Sequence, residues 1–158
     1  MSRVFVANEI APLKRVLVHR PDIGISRISP KRAEELLFDD IVHLPRMQEE
    51  HDVFTSILRR FVGEDNVLEV EQLLYEAIQA DEEAKNEMID LIIDHEELPT
   101  SYGETMKAMS ATALTKLIVT GYHEPDDHFF FDPIPNFIFT RDIAVTINDH
   151  ILITKAAK

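Results

Sequence analysis

The spacing of apolar residues changes near position 70 and changes back near position 122, which divides the chain into three stretches. Between 71 and 122 apolar residues recur every three to four positions, the period of an amphipathic helix. Eleven acidic residues lie between Glu69 and Glu97, where Lys85 is the only Lys or Arg, and such a run is typical of solvated helix faces. We therefore predict an all-helical insertion over 71–122.

Signals for helix ends support this segmentation. Pro99 interrupts the helical pattern, Ser110 is a typical cap for a last helix, and Gly121 is a typical end for it. Earlier in the chain, Ser29 followed by Pro30 predicts another helix that ends near Phe38. These signals predict several separate helices rather than one long helix.

Short β-branched runs at 4–6, 15–18 and 67–70 predict strands. Between the last two runs, apolar residues at helical spacing predict a helix that ends at Gly63. Those residues are Met47, His51, Phe54, Leu58 and Phe61. On this apolar stripe, we expect His51 to be a hydrogen-bonded core histidine rather than a ligand. The strand-helix-strand order favours mixed or parallel pairing, so the predicted class is α/β.

The octapeptide at 135–142 combines a turn signal with an apolar strand pattern. Pro-Asn favours a turn, and the residues that follow alternate with the two-residue period of a strand. Asn136, Phe139 and Asp142 would then meet at one strand end as amide, aromatic ring and acid. A carboxylate in that place could bind a cation. Taken alone, the octapeptide is equally typical of a core strand that ends in a surface pair of Arg141 and Asp142.

Six His, Asp and Glu residues between His123 and Asp132 superficially suit a metal ion. Their spacing matches no defined metal-binding loop or helical ligand pair, so we expect no metal and interpret the segment as a polar linker. The chain has only four glycines and no glycine-rich phosphate loop, and no cofactor is expected.

The composition limits the possible partners and compartments. With 16 Lys and Arg against 29 Asp and Glu, the net charge of −13 opposes binding to nucleic acid or to an anionic membrane. The sequence has no long apolar run and no signal peptide, so we expect a cytoplasmic protein. The absence of cysteine excludes disulfides and thiolate metal sites in this sequence.

Four blocks in this order resemble the arginine deiminases of the guanidine-modifying, or pentein, superfamily. They are the basic strand ending in His19-Arg20-Pro21, the run Leu36-Leu37-Phe38-Asp39-Asp40-Ile41, the helix around Glu50-His51-Asp52-Val53-Phe54, and the strand Pro135-Asn136-Phe137-Ile138-Phe139-Thr140-Arg141-Asp142. The blocks cover most of 8–75 and 133–155. The helical segment also resembles the insertion that arginine deiminases carry within this superfamily.

The resemblance implies a partial pentein-type β/α-propeller, with 1–70 and 123–158 as incomplete α/β modules around the insertion. It implies that Asp142 is the catalytic carboxylate that binds the guanidinium group of L-arginine. Asn136 matches a residue near the amino-acid end of the substrate, and Phe139 matches one beside its aliphatic part. Leu37 matches a position whose backbone carbonyl meets the α-amino group. Arg141 is expected to point away from Asp142.

Deiminases of this family attack the guanidinium carbon with a cysteine thiolate, and no residue of this sequence can serve as that nucleophile. We therefore expect an N-terminal fragment of a longer enzyme that converts L-arginine to L-citrulline and ammonia, inactive by itself. Two alternatives stay open: another guanidine-modifying enzyme, such as an amidinotransferase or guanidine hydrolase, and a non-catalytic arginine-binding or regulatory module. A homo-oligomer is also left open.

Overall fold

The computed structural model describes residues 4–27 and 42–154. The helix predicted after Ser29 and the predicted site residue Leu37 lie outside these ranges. Within the described residues the protein is a mixed α/β structure with five α-helices and three separate pairs of short strands. None of these helices combines the length and the apolar character needed to cross a lipid bilayer.

A strand-helix-strand unit opens the described fold. Strand β1 (Val16–Val18) is followed by helix α1 (Leu44–Val62) and strand β2 (Val67–Glu69), and the two strands pair in parallel with Leu17 opposite Leu68. The predicted order and the parallel pairing are confirmed. Helix α1 ends at Gly63, whose φ of +91° suits glycine and whose N–H donates to the Arg59 carbonyl at 2.8 Å.

The apolar stripe of α1 is only partly covered by the described residues. Thr55 is buried, whereas the Phe54 and Phe61 side chains are 53% and 81% exposed. The periodicity therefore predicted the helix and its end correctly, but the described fold does not bury the face that this periodicity marks. Apolar spacing shows which residues share a face, and only tertiary neighbours determine whether that face is covered.

Four helices occupy the segment for which helical structure was predicted, and the helical prediction is confirmed. They are α2 (Val70–Ala80), α3 (Glu82–His95), α4 (Thr100–Ala108) and α5 (Ala111–Thr120). The Ser110 hydroxyl caps α5 by accepting from the Ala113 N–H at 3.3 Å, and Gly121 ends α5 with a left-handed φ of +69°. The division of the chain into an insertion and flanking modules stays a prediction.

The main apolar core lies among these helices. Its buried members come from all four helices and from the segment that follows: Ile78, Ile89, Met106, Leu114, Leu117 and Phe130. Lys85 is buried beside this core and donates to the Glu82 carboxylate at 2.9 Å and to the Lys107 carbonyl at 3.1 Å. Its ammonium group therefore joins α3 to the end of α4.

The segment after α5 forms a small hairpin where a polar linker was expected. Strands β3 (Tyr122–His123) and β4 (His128–Phe129) pair antiparallel, and the Phe130 N–H donates to the Gly121 carbonyl at 2.8 Å. This hairpin inserts Phe130 into the helical core. The linker interpretation was wrong because the aromatic run that follows the acidic residues provides apolar surface that the helices bury.

A second antiparallel hairpin, β5 (Ala144–Ile147) and β6 (His150–Ile153), ends the described chain. The strand predicted at 4–6 is reduced to a single bridge between Val6 and Asn148. The patterns near 15–18, 67–70, 137–141 and 143–155 predict one shared sheet, and for the described residues that prediction is wrong. The strands of the described chain are two to four residues long, and among them no ladder connects one pair with another.

Candidate functional site

An open cleft of about 430 Å³ lies between β1, α1 and the segment that precedes β5. Its walls are the four residues 16–19, two side chains of α1 and the five residues 138–142. The lining side chains from α1 are His51 and Phe54. A volume of this size suits a small molecule.

The segment 137–142 is not the strand that its alternating pattern predicts. Residues Pro135–Ile138 form a 3-10 helix, and a second turn follows in which the Asp142 N–H donates to the Phe139 carbonyl at 3.0 Å. The Thr140 hydroxyl donates to the Leu17 carbonyl at 2.9 Å. The strand prediction was wrong because the Phe137 and Asp142 N–H groups bond to carbonyls three residues earlier. This local bonding forms turns and no ladder to a neighbouring strand.

The two turns bring Phe139 and Asp142 to the cleft together. Phe139 is 51% exposed and Asp142 is exposed, and both line the cavity. Within the described ranges, no ion pair involves the Asp142 carboxylate, and the Arg141 guanidinium pairs with Glu9. Asp142 is therefore a solvent-exposed acid that lines the same cleft as the Phe139 ring.

The other two predicted site residues cannot be assigned a side-chain position here. The Asn136 backbone belongs to the 3-10 helix, and its side chain is outside what the structure describes. Leu37 is outside the described ranges altogether. The structure thus brings two of the four predicted residues, Phe139 and Asp142, to one cleft.

A charged cluster at the end of β1 was not identified as functional from the sequence. His19 is 2% exposed, its Nε2 lies 3.0 Å from Asp22 Oδ2, and its Nδ1 lies 3.3 Å from Glu69 Oε1. The second contact has ion-pair distance but not the alignment of a hydrogen bond. Glu69 also accepts from the Arg20 backbone N–H at 2.8 Å. Two carboxylates therefore enclose one buried imidazole.

Arg20 extends this cluster to α1. Its guanidinium donates through Nε and Nη2 to both carboxylate oxygens of Asp52, at 2.8 and 2.9 Å. This bidentate pair raises the pKa of Arg20 and lowers the pKa of Asp52, in both cases chiefly through the hydrogen bonds. The His-Arg-Pro block and the Glu-His-Asp block, 32 positions apart, therefore meet in space. No short-range sequence signal reveals this pairing.

The two histidines of the cleft have opposite electrostatic environments. Burial lowers the pKa of His19, but the hydrogen bond to Asp22 and the charge of Glu69 outweigh burial and raise the pKa to about 9. Burial is also the largest influence on His51 and lowers its pKa. At neutral pH the cleft therefore contains a cationic His19 and a neutral His51.

His51 differs from the expected hydrogen-bonded core histidine. The side chain is half-buried, and its ring packs edge-on against the Phe54 ring with 6.3 Å between the ring centroids. Its buried Nδ1 has no hydrogen-bond partner among the described residues. The expectation was wrong because α1 places this side chain at the cleft wall rather than inside a closed core.

Two of the acidic residues between 123 and 132 pair locally. His123 Nδ1 lies 2.9 Å from Asp126 Oδ2, and the Tyr122 hydroxyl donates to Asp127 at 2.5 Å. In the described part of the chain, no group of three or more His, Asp or Glu side chains has an arrangement that could hold a metal ion. These residues shape the β3–β4 hairpin.

The structure is thus a mixed α/β fold with an open cleft that is lined by an exposed acidic residue. The family model described as arginine deiminase matches residues 34–124, more than half of the chain. The chain belongs to the arginine deiminase family. The resemblance carried by the four sequence blocks is thereby confirmed.

Curated relatives support the same conclusion. The chain is 33% identical over 173 residues to an arginine deiminase of Bacillus cereus strain B4264, and 34% identical over 178 residues to one of Levilactobacillus brevis. Each alignment covers 96% of this chain and 42% of the relative. The chain therefore spans less than half of the length of these relatives.

Proposed function

We propose that this chain supplies the guanidinium-binding part of an arginine deiminase site, with Asp142 as the carboxylate that binds the guanidinium group of L-arginine. The observation that carries this proposal is the solvent-exposed Asp142, which lines the same cleft as Phe139. Asn136 and Leu37 complete the proposed substrate contacts. The full reaction, hydrolysis of L-arginine to L-citrulline and ammonia, belongs to a longer protein.

The physical chemistry of the cleft suits a guanidinium ligand. A carboxylate accepts two parallel N–H bonds from a planar guanidinium, which provides both binding energy and orientation. The Phe139 and Phe54 rings and the Ile138 side chain offer apolar surface for the aliphatic part of the ligand. The net charge of −13 favours the approach of a cation over that of an anion.

The architecture of the longer protein is part of the same proposal. We assign 1–70 and 123–158 to incomplete α/β modules of a pentein-type propeller and 71–122 to a helical insertion. The parallel β1–β2 unit joined through α1 supports the first assignment. The helical core supports the second assignment, because five of its six buried members among the described residues lie within 71–122.

Two other functions follow from the same cleft. Another guanidine-modifying enzyme would use the same carboxylate with a different leaving group or acceptor, and a non-catalytic module would bind arginine without turnover. A cytoplasmic location and self-association stay predictions. Product analysis on a longer protein that carries this chain would distinguish citrulline formation, amidino transfer and simple binding.

The isolated chain is expected to produce no citrulline from L-arginine, because it lacks a thiol that could form the covalent adduct. The measurement is colorimetric citrulline detection after long incubation of the purified chain. Turnover above the buffer blank that persists through a second, different purification would contradict this prediction.

Asp142→Asn is expected to weaken binding of L-arginine to the chain by about tenfold or more, because a charge-assisted hydrogen bond contributes roughly 1.5–3 kcal/mol. Backbone amide chemical shifts of Phe139 and Asp142, followed during arginine titration at neutral pH, measure the effect. L-Citrulline has the same shape without the charge and should shift these amides far less.

Asp94→Asn is the matched control for this substitution, because Asp94 is exposed on α3, away from the cleft. It should bind arginine as the unmodified chain does. Equal arginine affinity in the Asp142→Asn chain would remove Asp142 from the proposed site.

A further inference from the structure

We propose that His19 is a positioning residue, which holds the turn that presents Asp142 to a guanidinium ligand. This inference rests on the function proposed above and concerns the same cleft. It follows from the enclosed position of His19 and from its contact with the segment that carries Asp142.

His19 is fixed from two directions. Asp22, held by the Gly24 N–H at 2.6 Å, faces its Nε2, and Glu69 at the end of β2 faces its Nδ1. A side chain that is 2% exposed and lies between two carboxylates has little freedom to rotate. The orientation of the imidazole ring is therefore set by charge on both sides.

This ring supports the segment that leads to Asp142. The centroids of the His19 and Phe137 rings are 4.9 Å apart, with the ring planes inclined by 38°. Phe137 lies in the 3-10 helix that immediately precedes Phe139 and Asp142. Besides this aromatic contact, the Thr140 hydroxyl bond to the Leu17 carbonyl holds the turn on β1. A change at His19 therefore reaches Asp142 through Phe137.

The surroundings of His19 favour positioning over proton transfer. Both ring nitrogens already face carboxylates, so neither is free to take a proton from a reacting group. The raised pKa, about 9, keeps the ring protonated at neutral pH. Across the cluster, α1 contributes His51, whose lowered pKa leaves it neutral, and the Arg20 charge is neutralised by Asp52.

The raised pKa predicts a pH dependence with a defined sign. The ordinary histidine pKa is about 6.5, so the charged contacts contribute fully below that pH and are lost as the pH rises through about 9. Deprotonation leaves Asp22 and Glu69 facing a neutral ring. The packing of the Phe137 ring against His19 then weakens, and Asp142 becomes less ordered.

The test combines ¹³C NMR of the chain with titration of methylguanidinium, which stays charged throughout the pH range used. The chemical shifts of the Asp142 carboxyl carbon and of the Phe139 ring carbons should change with a midpoint near pH 9, and this transition should be absent in His19→Gln. Methylguanidinium affinity should fall about fivefold from neutral pH to pH 10.5, and by a similar factor at neutral pH in His19→Gln.

The sign of the affinity change separates positioning from simple electrostatics. Loss of a nearby positive charge, acting alone, would strengthen binding of a cation. Unchanged or stronger methylguanidinium binding in His19→Gln, in a chain whose Leu114 and Leu117 resonances are unaltered, would overturn the proposal.

Phe137→Leu provides a second variant that keeps His19 and both of its carboxylates. It should remove the transition at Asp142 while the His19 ring carbons still titrate near pH 9. Phe61→Leu, at a side chain that is 81% exposed, is the matched control and should change neither signal. An Asp142 transition that persists in Phe137→Leu would contradict the route through Phe137.

The same data separate this inference from the proposed function. If methylguanidinium does not bind the unmodified chain at neutral pH, the guanidinium site fails, whereas the Asp142 transition still decides the role of His19. If methylguanidinium binds through Asp142 and no transition occurs, the site stands and the positioning role fails.

Discussion

Gly121→Ala is expected to lower the free energy of unfolding by about 2–5 kcal/mol, which combines the cost of a left-handed backbone with that of steric overlap. Gly121 ends α5 with a φ of +69°, a conformation that residues with a Cβ adopt reluctantly. An added Cβ would also lie 2.3 Å from the Phe131 carbonyl oxygen, a backbone atom that cannot rotate away. The measurement is chemical denaturation followed by circular dichroism.

Gly103→Ala is the matched control. Gly103 lies within α4 with an ordinary helical backbone, and an added Cβ would meet the Ile93 side chain at 3.4 Å, a normal contact distance. Alanine is favoured over glycine in helices by about 1 kcal/mol, so this variant should be as stable as the original chain or slightly more stable. Equal losses at both positions would show that the geometry at Gly121 is not the cause.

Leu114→Ala is expected to lower the free energy of unfolding by about 2–5 kcal/mol, because it removes buried methyl groups and leaves a cavity. Leu114 is fully buried in the core formed by α2 to α5 and Phe130. Such a loss is a large part of the total stability of an ordinary domain. Thermal and denaturant unfolding would both report it.

Leu91→Ala tests whether burial causes the Leu114 effect. Leu91 lies on α3 with 63% of its side chain exposed, so the same deletion there should change the unfolding free energy by less than about 1 kcal/mol. A Leu114→Ala chain as stable as the Leu91→Ala chain would mean that the helices do not share the core described above.

Local signals predicted the helical part of the fold because they act within a few residues. The period of apolar residues identified α1 and the helical stretch after β2, although not the break at Asp81 between α2 and α3, and Gly63 and Gly121 marked helix ends. The parallel pairing of β1 and β2 was predictable for a related reason. A helix between two strands covers the distance that parallel pairing requires.

The same kind of pattern failed for the segment that carries Asp142. The residues 137–142 alternate like a strand, but a strand exists only where a neighbouring strand accepts its hydrogen bonds. Here Phe137 and Asp142 donate to carbonyls three residues earlier, at 3.1 and 3.0 Å, so local turns form. The sequence nevertheless identified Asp142 and Phe139 as neighbours at one cleft.

The charged cluster around His19 was beyond prediction from local pattern. Glu69 is 50 positions from His19, and Asp52 is 32 positions from Arg20. A pair of this kind depends on how β1, β2 and α1 come together in space. The carboxylates that surround the His19 ring therefore follow only from the placement of these three elements.

Different forces stabilise the helical core and the cleft. Hydrophobic burial stabilises the helical core, and this force depends on temperature much more than on salt. The cleft is held largely by ion pairs and side-chain hydrogen bonds, and half-exposed pairs such as Arg20 with Asp52 are screened as ionic strength rises. Salt can therefore loosen the cleft while the helical core keeps its packing, so the ionic composition of the surroundings sets how rigidly the cleft is held.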